Sequence, residues 1–238
     1  MRLYRDRGVV LRTYRLGEAD RIVVMLTEGH GKVRAVAKGV RKTKSRFGSR
    51  LEPTSHVSLL LHEGRELDIV NQAETIEHHP NIREDLNRLA KATAVIEAVD
   101  QIAQDREPSP ALYRMVVGAL KALDETDSPL LLAGFYWKLL AAEGLSPLLD
   151  MCAGCGGPGP FVAFDLGEGG VLCTNCRRGV PITSQAQELL RRILEGELKT
   201  ALAEPPSPAT REVDALATAA MEAHLERRLR SIAVLERE

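Results

Sequence analysis

The spacing of hydrophobic residues along this 238-residue chain changes once, near residue 80. Before that point, short runs rich in Val, Ile and Leu alternate with Gly-containing turns, a pattern typical of β-strands. The runs are RGVVLRTYRL, DRIVVMLTE, KVRAVAKGV, HVSLLLH and ELDIVNQAETI. They predict about five strands, with a turn at Gly29-His30-Gly31 and a tight hairpin at Glu63-Gly64-Arg65.

Five short strands with loops of unequal length suggest a closed sheet. A five-stranded barrel of the oligonucleotide-binding (OB) type is an economical way to close them. A small open sheet or a sandwich fits the same pattern, and the strand pattern does not separate these folds.

From residue 81 the hydrophobic period becomes helical. In NIREDLNRLAKATAVIEAVDQIAQ the residues of one stripe are Ile82, Leu86, Leu89, Ile96, Val99 and Ile102. Asn81 and Glu84 have the spacing of a capping box at the start of this helix. Serine-proline pairs at residues 109–110, 128–129 and 207–208 predict three more helix starts, since Ser caps and Pro fits the first helical position. Further helix ends are predicted at Gly144 and Gly196.

The net charge of −1 hides an uneven distribution. Residues 1–80 carry 15 basic and 10 acidic side chains, a net of +5, and residues 81–238 carry a net of −6. Within the first part no acidic residue lies between Glu28 and Glu52, while eight cations do: Lys32, Arg34, Lys38, Arg41, Lys42, Lys44, Arg46 and Arg50. Such a segment is typical of contact with a polyanion, and we predict these eight as nucleic-acid-binding residues. A solvated loop that only aids solubility is the competing interpretation.

The four cysteines lie in CAGCGGPGPFVAFDLGEGGVLCTNC, as two CxxC pairs separated by seventeen residues. Cys152, Cys155, Cys173 and Cys176 therefore have the spacing of a zinc ribbon or knuckle. Four thiolates close the coordination sphere of Zn²⁺, so the predicted ion is structural and not catalytic. Two redox pairs, or free or cross-linked thiols, are the alternatives.

Other chemistry finds less support in the chain. HExxH and phosphate-loop motifs are incomplete, and no acid/base pair is recognisable. No apolar run is long enough to span a bilayer, and MRLYRDRGVV does not resemble a secretory signal, so we expect a cytoplasmic location. The aromatic run Phe135, Tyr136 and Trp137 is either helix core or the lining of a protein-docking groove.

Three stretches, in this order, resemble the bacterial DNA repair family RecO. They are KGVRKTKSRFGSRLEP, NIREDLNRLAKATAVIEAVDQI and FYWKLLAAEGLSPLLDMCAGCG. The resemblance implies an OB-fold DNA-binding domain at residues 1–80 and a helical domain at residues 81–238, with a zinc-binding insertion at about 148–181. Lys38, Arg41, Lys42, Lys44 and Arg46 match the family's DNA-contacting region, and the four cysteines match its zinc ligands.

The resemblance also implies a function. RecO proteins are non-enzymatic recombination mediators: they bind single- and double-stranded DNA, anneal complementary strands and, with RecR, help RecA load onto DNA coated by single-strand-binding protein. We therefore expect DNA, RecR and possibly single-strand-binding protein as partners, a nucleoid-associated location, and neither a membrane nor a small-molecule substrate. A zinc-ribbon RNA-binding factor and a metal-dependent nuclease are the alternative functions.

Overall fold

The computed structural model describes residues 2–229 and residue 231. These residues divide into two compact units, residues 2–125 with 229 and 231, and residues 126–228. The first contains a β-barrel and three helices, and the second contains four helices and a small sheet. By their contacts, the three helices that follow the barrel thus belong to the same unit as the barrel.

The five predicted strands form a closed barrel in the order β1-β2-β3-β5-β4. Their bounds are β1 Leu3–Leu16, β2 Asp20–Thr27, β3 Gly31–Ala37, β4 His56–His62 and β5 Asp68–Glu77. β1 pairs with β4 through its first half and with β2 through its second, with a register shift between Val10 and Arg12. A β-bulge of this kind bends a strand, which lets one long strand belong to both sides of a barrel. The sheet is therefore an OB-like barrel, and the open-sheet and sandwich alternatives are wrong.

The barrel interior is apolar. Its buried side chains come from all five strands and from the loop between β3 and β4: Val10, Val23, Met25, Val33, Ala35, Ala37, Phe47, Leu51, Val57, Leu59, Leu61, Val70 and Ala73. The connection between β4 and β5 is longer than the predicted tight hairpin, because it runs from residue 63 to residue 67. Its Gly64 amide donates to the Asp68 carboxylate at 3.0 Å, which explains how the loop closes.

Three helices complete the first unit: α1 Pro80–Glu84, α2 Leu86–Ile102 and α3 Pro110–Glu125. The predicted capping box at Asn81 and Glu84 is wrong, because the helix is interrupted at Asp85, whose carboxylate caps α2 by accepting from the Arg88 amide at 2.8 Å. Asn81 instead donates its side-chain amide to the Asp124 carbonyl at 3.0 Å.

The stripe predicted across this region is only partly buried. Ile82, Ile96 and Val99 are buried, whereas Leu86 is 60% exposed and Leu89 is 37% exposed. The break at Asp85 explains the difference, since α1 and α2 are separate helices and do not share one continuous face.

Buried polar groups join these helices to the barrel within the first unit. The Arg12 guanidinium lies 2.9 Å from the Asp100 carboxylate of α2. Asp68 is fully buried and accepts hydrogen bonds from Tyr4 and, at 2.6 Å, from Arg106. Because a buried carboxylate without partners is costly, these contacts fix where the helices lie on the barrel.

A close backbone approach reinforces this attachment. Gly31 has a positive φ of +66°, and a Cβ at this position would lie 2.1 Å from the carbonyl oxygen of Glu107. Glycine is therefore required here, both for the turn and for the passage of the segment between α2 and α3.

The second unit is built around α4 Leu131–Ala142, which is buried on most of its surface. The other elements are β6 Phe161–Asp165, β7 Gly170–Cys173, β8 Val180–Pro181, α5 Ser184–Leu194, α6 Leu198–Leu202 and α7 Pro208–His224. Phe135, Tyr136 and Trp137 are 6%, 0% and 2% exposed, so these aromatics belong to the helix core, and Trp137 also lines a cavity of about 650 Å³ within this unit.

The serine-proline predictions have mixed outcomes. α3 begins at Pro110 and α7 at Pro208, and Ser207 forms a capping box with Thr210. The prediction at residues 128–129 is wrong, because α4 begins only at Leu131 and the Ser128 hydroxyl accepts from the Leu130 amide in a preceding turn. Gly144 and Gly196 follow α4 and α5 with positive φ, as predicted for helix ends.

Candidate nucleic-acid interface and metal centre

The basic segment forms the loop between β3 and β4, here called the basic loop and defined as residues 38–55. Its backbone is anchored at several points. Phe47 and Leu51 are 1% and 2% exposed and insert into the barrel core. The Gly39 amide donates to the Asp20 carboxylate at 2.7 Å, and the Arg41 amide donates to the Ala19 carbonyl at 3.0 Å. The loop is thus held to the barrel by its apolar residues and backbone, which leaves its charged side chains outside.

Six of the eight predicted cations lie on this loop with exposed side chains: Lys38, Arg41, Lys42, Lys44, Arg46 and Arg50. Throughout the described part of the chain, no carboxylate lies within ion-pair distance of any of them. Their mutual repulsion is therefore not offset by an ion pair with any described carboxylate, and a polyanion would relieve it.

Three of these cations make contacts that orient them without neutralising them. The Arg41 guanidinium donates to the Glu18 carbonyl at 2.9 Å, and that of Arg50 donates to the Arg46 carbonyl at 2.8 Å. The Arg46 guanidinium lies over the ring of Phe47, 4.9 Å from its centroid. Carbonyls and a ring face hold a cation in place but leave its charge available to phosphate.

Lys32 and Arg34, the other two predicted nucleic-acid-binding residues, lie on β3 and have acidic partners. The Lys32 ammonium donates to the Asp100 carbonyl at 2.7 Å, and its side chain is 11% exposed. The Arg34 guanidinium lies 3.1 Å from the Asp105 carboxylate. A nucleic acid would have to displace these partners, so the structure separates this pair from the six cations of the basic loop.

Asp100 and Asp105, the partners of these cations, were not predicted from the sequence. Their spacing offers no local signal, because 68 residues separate Lys32 from Asp100. Only the packing of α2 and of the segment that follows it against the barrel brings them together.

The four predicted cysteine ligands come together in the second unit. Their sulfur atoms all lie within 4.8 Å of one another, and the Sγ atoms of Cys155 and Cys173 are 3.9 Å apart. A tetrahedral ion with bonds of about 2.3 Å to sulfur requires sulfur–sulfur separations of about 3.8 Å, so the residues present fit such an ion. The cluster can bind one metal ion.

The backbone around the cysteines prepares them to act as ligands. The Cys173 amide donates to the Cys152 sulfur at 3.4 Å, and this hydrogen bond is the largest cause that lowers the pKa of Cys152 to about 6. Hydrogen bonds with the sulfurs of Cys155 and Cys152 raise the pKa of Cys176 to about 12. The lowered pKa of Cys152 favours its thiolate, the form in which cysteine binds a metal, and metal binding would require the neighbouring thiols to release their protons as well.

The hairpin between the two CxxC pairs sets this geometry. β6 and β7 are antiparallel and return the second pair beside the first. The buried side chains of Ala163 and Leu172 pack with Cys152 beneath the cluster. Gly156 has a φ of +71° and donates its amide to the Cys152 carbonyl at 2.8 Å, closing the turn of the first pair.

Among the helices of the described residues, none is long and apolar enough to cross a membrane.

The fold and the cysteine cluster together define a class of protein: an OB-like barrel followed by a helical region that carries a potential four-cysteine metal site. Comparison with family models identifies the family. The model described as "Recombination protein O N terminal" matches residues 1–79, and "Recombination protein O C terminal" matches residues 83–233. The chain therefore belongs to the Recombination protein O (RecO) family, which acts in DNA repair and recombination as a non-enzymatic mediator.

Proposed function

We propose that this protein is a recombination mediator that binds single- and double-stranded DNA and anneals complementary strands. With RecR, it helps RecA load onto DNA coated by single-strand-binding protein. The observation that carries the proposal is the basic loop, whose six exposed cations have no carboxylate partner in the described residues, in a chain of the RecO family.

The chemistry of the basic loop favours contacts with phosphates over contacts with bases. Phe47, the aromatic residue of the loop, is 1% exposed and cannot act as a stacking platform. Lys and Arg side chains bind phosphate oxygens with little dependence on sequence. A strand held by its phosphates keeps its bases free to pair, which is what annealing requires.

For the cysteine cluster we propose a structural Zn²⁺. Four sulfur ligands suit zinc and leave no coordination position for water or substrate. The ion would hold the β6–β7 hairpin in place, and we propose no catalytic activity for this site.

The contacts proposed with other proteins fall on the second unit. Residues 126–228 carry nine basic and thirteen acidic side chains, in contrast with the basic loop. We propose that this unit serves protein docking, with RecR as the main partner and single-strand-binding protein as a second, and that the protein acts at the nucleoid in the cytoplasm.

A strand-annealing assay tests the proposal. Complementary oligonucleotides coated with single-strand-binding protein are mixed with the full chain, with and without RecR, and duplex formation is followed by fluorescence. We expect the full chain to accelerate duplex formation and unlabelled DNA to compete for it. No acceleration would contradict the proposal, and competition by RNA far below the DNA concentration needed would indicate an RNA-binding protein instead.

A further inference from the structure

The outer face of β1, β4 and β5 lies beside the basic loop and forms a surface that the sequence did not single out. Strand pairing places Arg5 of β1 opposite Leu60 of β4, and Leu60 opposite Gln72 of β5. The next row on β4 and β5 pairs Ser58 with Glu74. Because alternate residues of a strand point to opposite sides, these side chains share the outside of the barrel.

Two adjoining cavities follow this face. One, of about 300 Å³, is lined by Arg46 and Arg50 of the basic loop and by residues 71–74 of β5. The other, of about 120 Å³, is lined by Arg5, by residues 58–60 of β4, and again by Gln72 and Glu74. The two cavities adjoin at Gln72 and Glu74, which line both, and together they are here called the β4–β5 groove.

Cations border the β4–β5 groove on both sides. Arg46 and Arg50 lie at its loop side, and Arg5 lies at its β1 side. Two strand spacings of about 4.8 Å separate β5 from β1, so the backbones of these two strands lie roughly 10 Å apart across the sheet. Within the described residues, Arg5 is exposed and has no ion-pair partner. A groove with positive charge on both walls and side-chain amides in its floor suits a single polynucleotide strand.

The barrel surface around β3, which is the other direction in which a strand could leave the basic loop, is less suitable for an anion. There the cations Arg12, Lys32 and Arg34 have Asp100 and Asp105 as partners. The segment that follows α2 also crosses this part of the barrel, with Glu107 against Gly31. A strand that leaves the basic loop on that side therefore meets cations that already have acidic partners, whereas Arg5 on the β4–β5 side has no ion-pair partner among the described residues.

We propose that a single-stranded nucleic acid continues from the basic loop into the β4–β5 groove, with its phosphates on Arg46, Arg50 and Arg5. The inference rests on the proposed function and adds to it a path for the bound strand and one further contact residue, Arg5. The amides of Asn71 and Gln72 lie along this path, where they can donate to phosphate or sugar oxygens, contacts that carry no sequence information and leave the bases free.

Glu74 allows a test that depends on whether the affinity for the strand rises or falls. It is the carboxylate among the described residues that line the groove, and it has no ion-pair partner there. A negative charge beside the path of the phosphates weakens binding, so its removal must strengthen binding if the strand passes through the groove. If the strand contacts the basic loop alone, removal of this charge has little effect.

The experiment measures the affinity of full-length variants for a fluorescent single-stranded oligonucleotide over a range of salt concentrations. We expect Arg5→Ala to lower the affinity roughly three- to tenfold and to reduce the salt slope by about 0.7, the value for one phosphate contact on a single strand. We expect Glu74→Gln to raise the affinity about threefold. Arg211→Ala and Glu143→Gln are matched controls, because both residues are exposed and lie in the other unit.

The outcomes separate the two proposals. Unchanged affinity in either groove variant overturns the path through the groove, because the path requires a loss in one and a gain in the other. If the groove variants bind normally while alanine substitution of the loop lysines weakens binding, DNA binding by the basic loop stands without the groove. If the loop variant also binds normally, the proposed function itself fails.

Discussion

The basic loop gives the sharpest prediction, because we expect that three of its lysines can be replaced by alanine without disturbing the fold. Lys38, Lys42 and Lys44 are exposed. Within the described residues, their side chains have neither a hydrogen bond nor an ion pair. The arginines of the loop are less suitable for this purpose, because Arg41 and Arg50 donate to backbone carbonyls that help shape it.

The magnitude follows from counterion release. Each phosphate neutralised by a cation contributes about 0.7 to the slope of log K against log[salt] for a single strand, and about 0.9 for duplex DNA. With six contacts from the basic loop, the slopes should be about −4 and −5. Alanine at Lys38, Lys42 and Lys44 should reduce them by about 2 and about 2.7, with the same loss for every DNA sequence.

The assay is fluorescence anisotropy of labelled single-stranded and duplex oligonucleotides between low and moderate salt. A second triple variant, with alanine at Lys121, Lys199 and Arg211, removes the same total charge from exposed positions outside the loop. The melting temperature of both variants should stay close to that of the parent protein, since the removed side chains support no described core contact. Equal slopes for the loop variant and the parent would refute the reasoning, and equal losses in both triple variants would show that only net charge matters.

Three further predictions concern the metal site and the stability of the fold. The purified protein should contain about one zinc per chain by elemental analysis, and Cys155→Ser should release the metal and lower the melting temperature. The control variant Met151→Ser, at an exposed position, should do neither. Normal metal content in the cysteine variant would contradict the site. Burial by itself would raise the pKa of Asp68, but hydrogen bonds to its carboxylate hold that pKa below its usual value of 3.8. The ionised group therefore contributes stability to the fold at pH values above 3.8. Asp68→Asn should therefore cost about 2 to 3 kcal/mol at pH 7 in chemical denaturation, and the difference should shrink as pH falls through the lowered pKa; a difference independent of pH would contradict this role. Gly31→Ala should cost about 3 kcal/mol or more of stability through its clash with the backbone. Gly17→Ala, also at positive φ but in open space, should cost only about 1 to 2 kcal/mol. Equal melting temperatures for the two variants would show that the clash is relieved.

Some features of this protein follow from its sequence because their causes are local. A strand is specified by residues within reach of one another, and all five predicted strands occur in the barrel. The cysteine cluster was predictable for the same reason, since two CxxC turns joined by a short hairpin must lie close together. The uneven charge of the first eighty residues also needs no structure to be seen.

Helix boundaries depended on competition that the sequence alone did not resolve. Asn81 and Asp85 both offer a capping side chain, and Asp85 caps α2 while Asn81 donates to Asp124, 43 residues away. Ser128 has the right neighbour for a cap, but its hydroxyl closes a turn before α4. In each case a contact or turn outside the helical pattern decided which signal was used.

Only the tertiary structure decided which cations contact a carboxylate and which do not. In the sequence, Lys32 and Lys42 belong to the same positive segment and are equally strong candidates for binding phosphate. In the fold, Lys32 contacts Asp100, whereas the Lys42 side chain is exposed, without an ion-pair partner among the described residues. The sequence by itself determined that positive charge gathers on one barrel loop, because composition and strand pattern are local properties. Which of those charges stay free for a partner depended on where α2 packs, because neutralisation requires contact in space between residues that are distant in the chain.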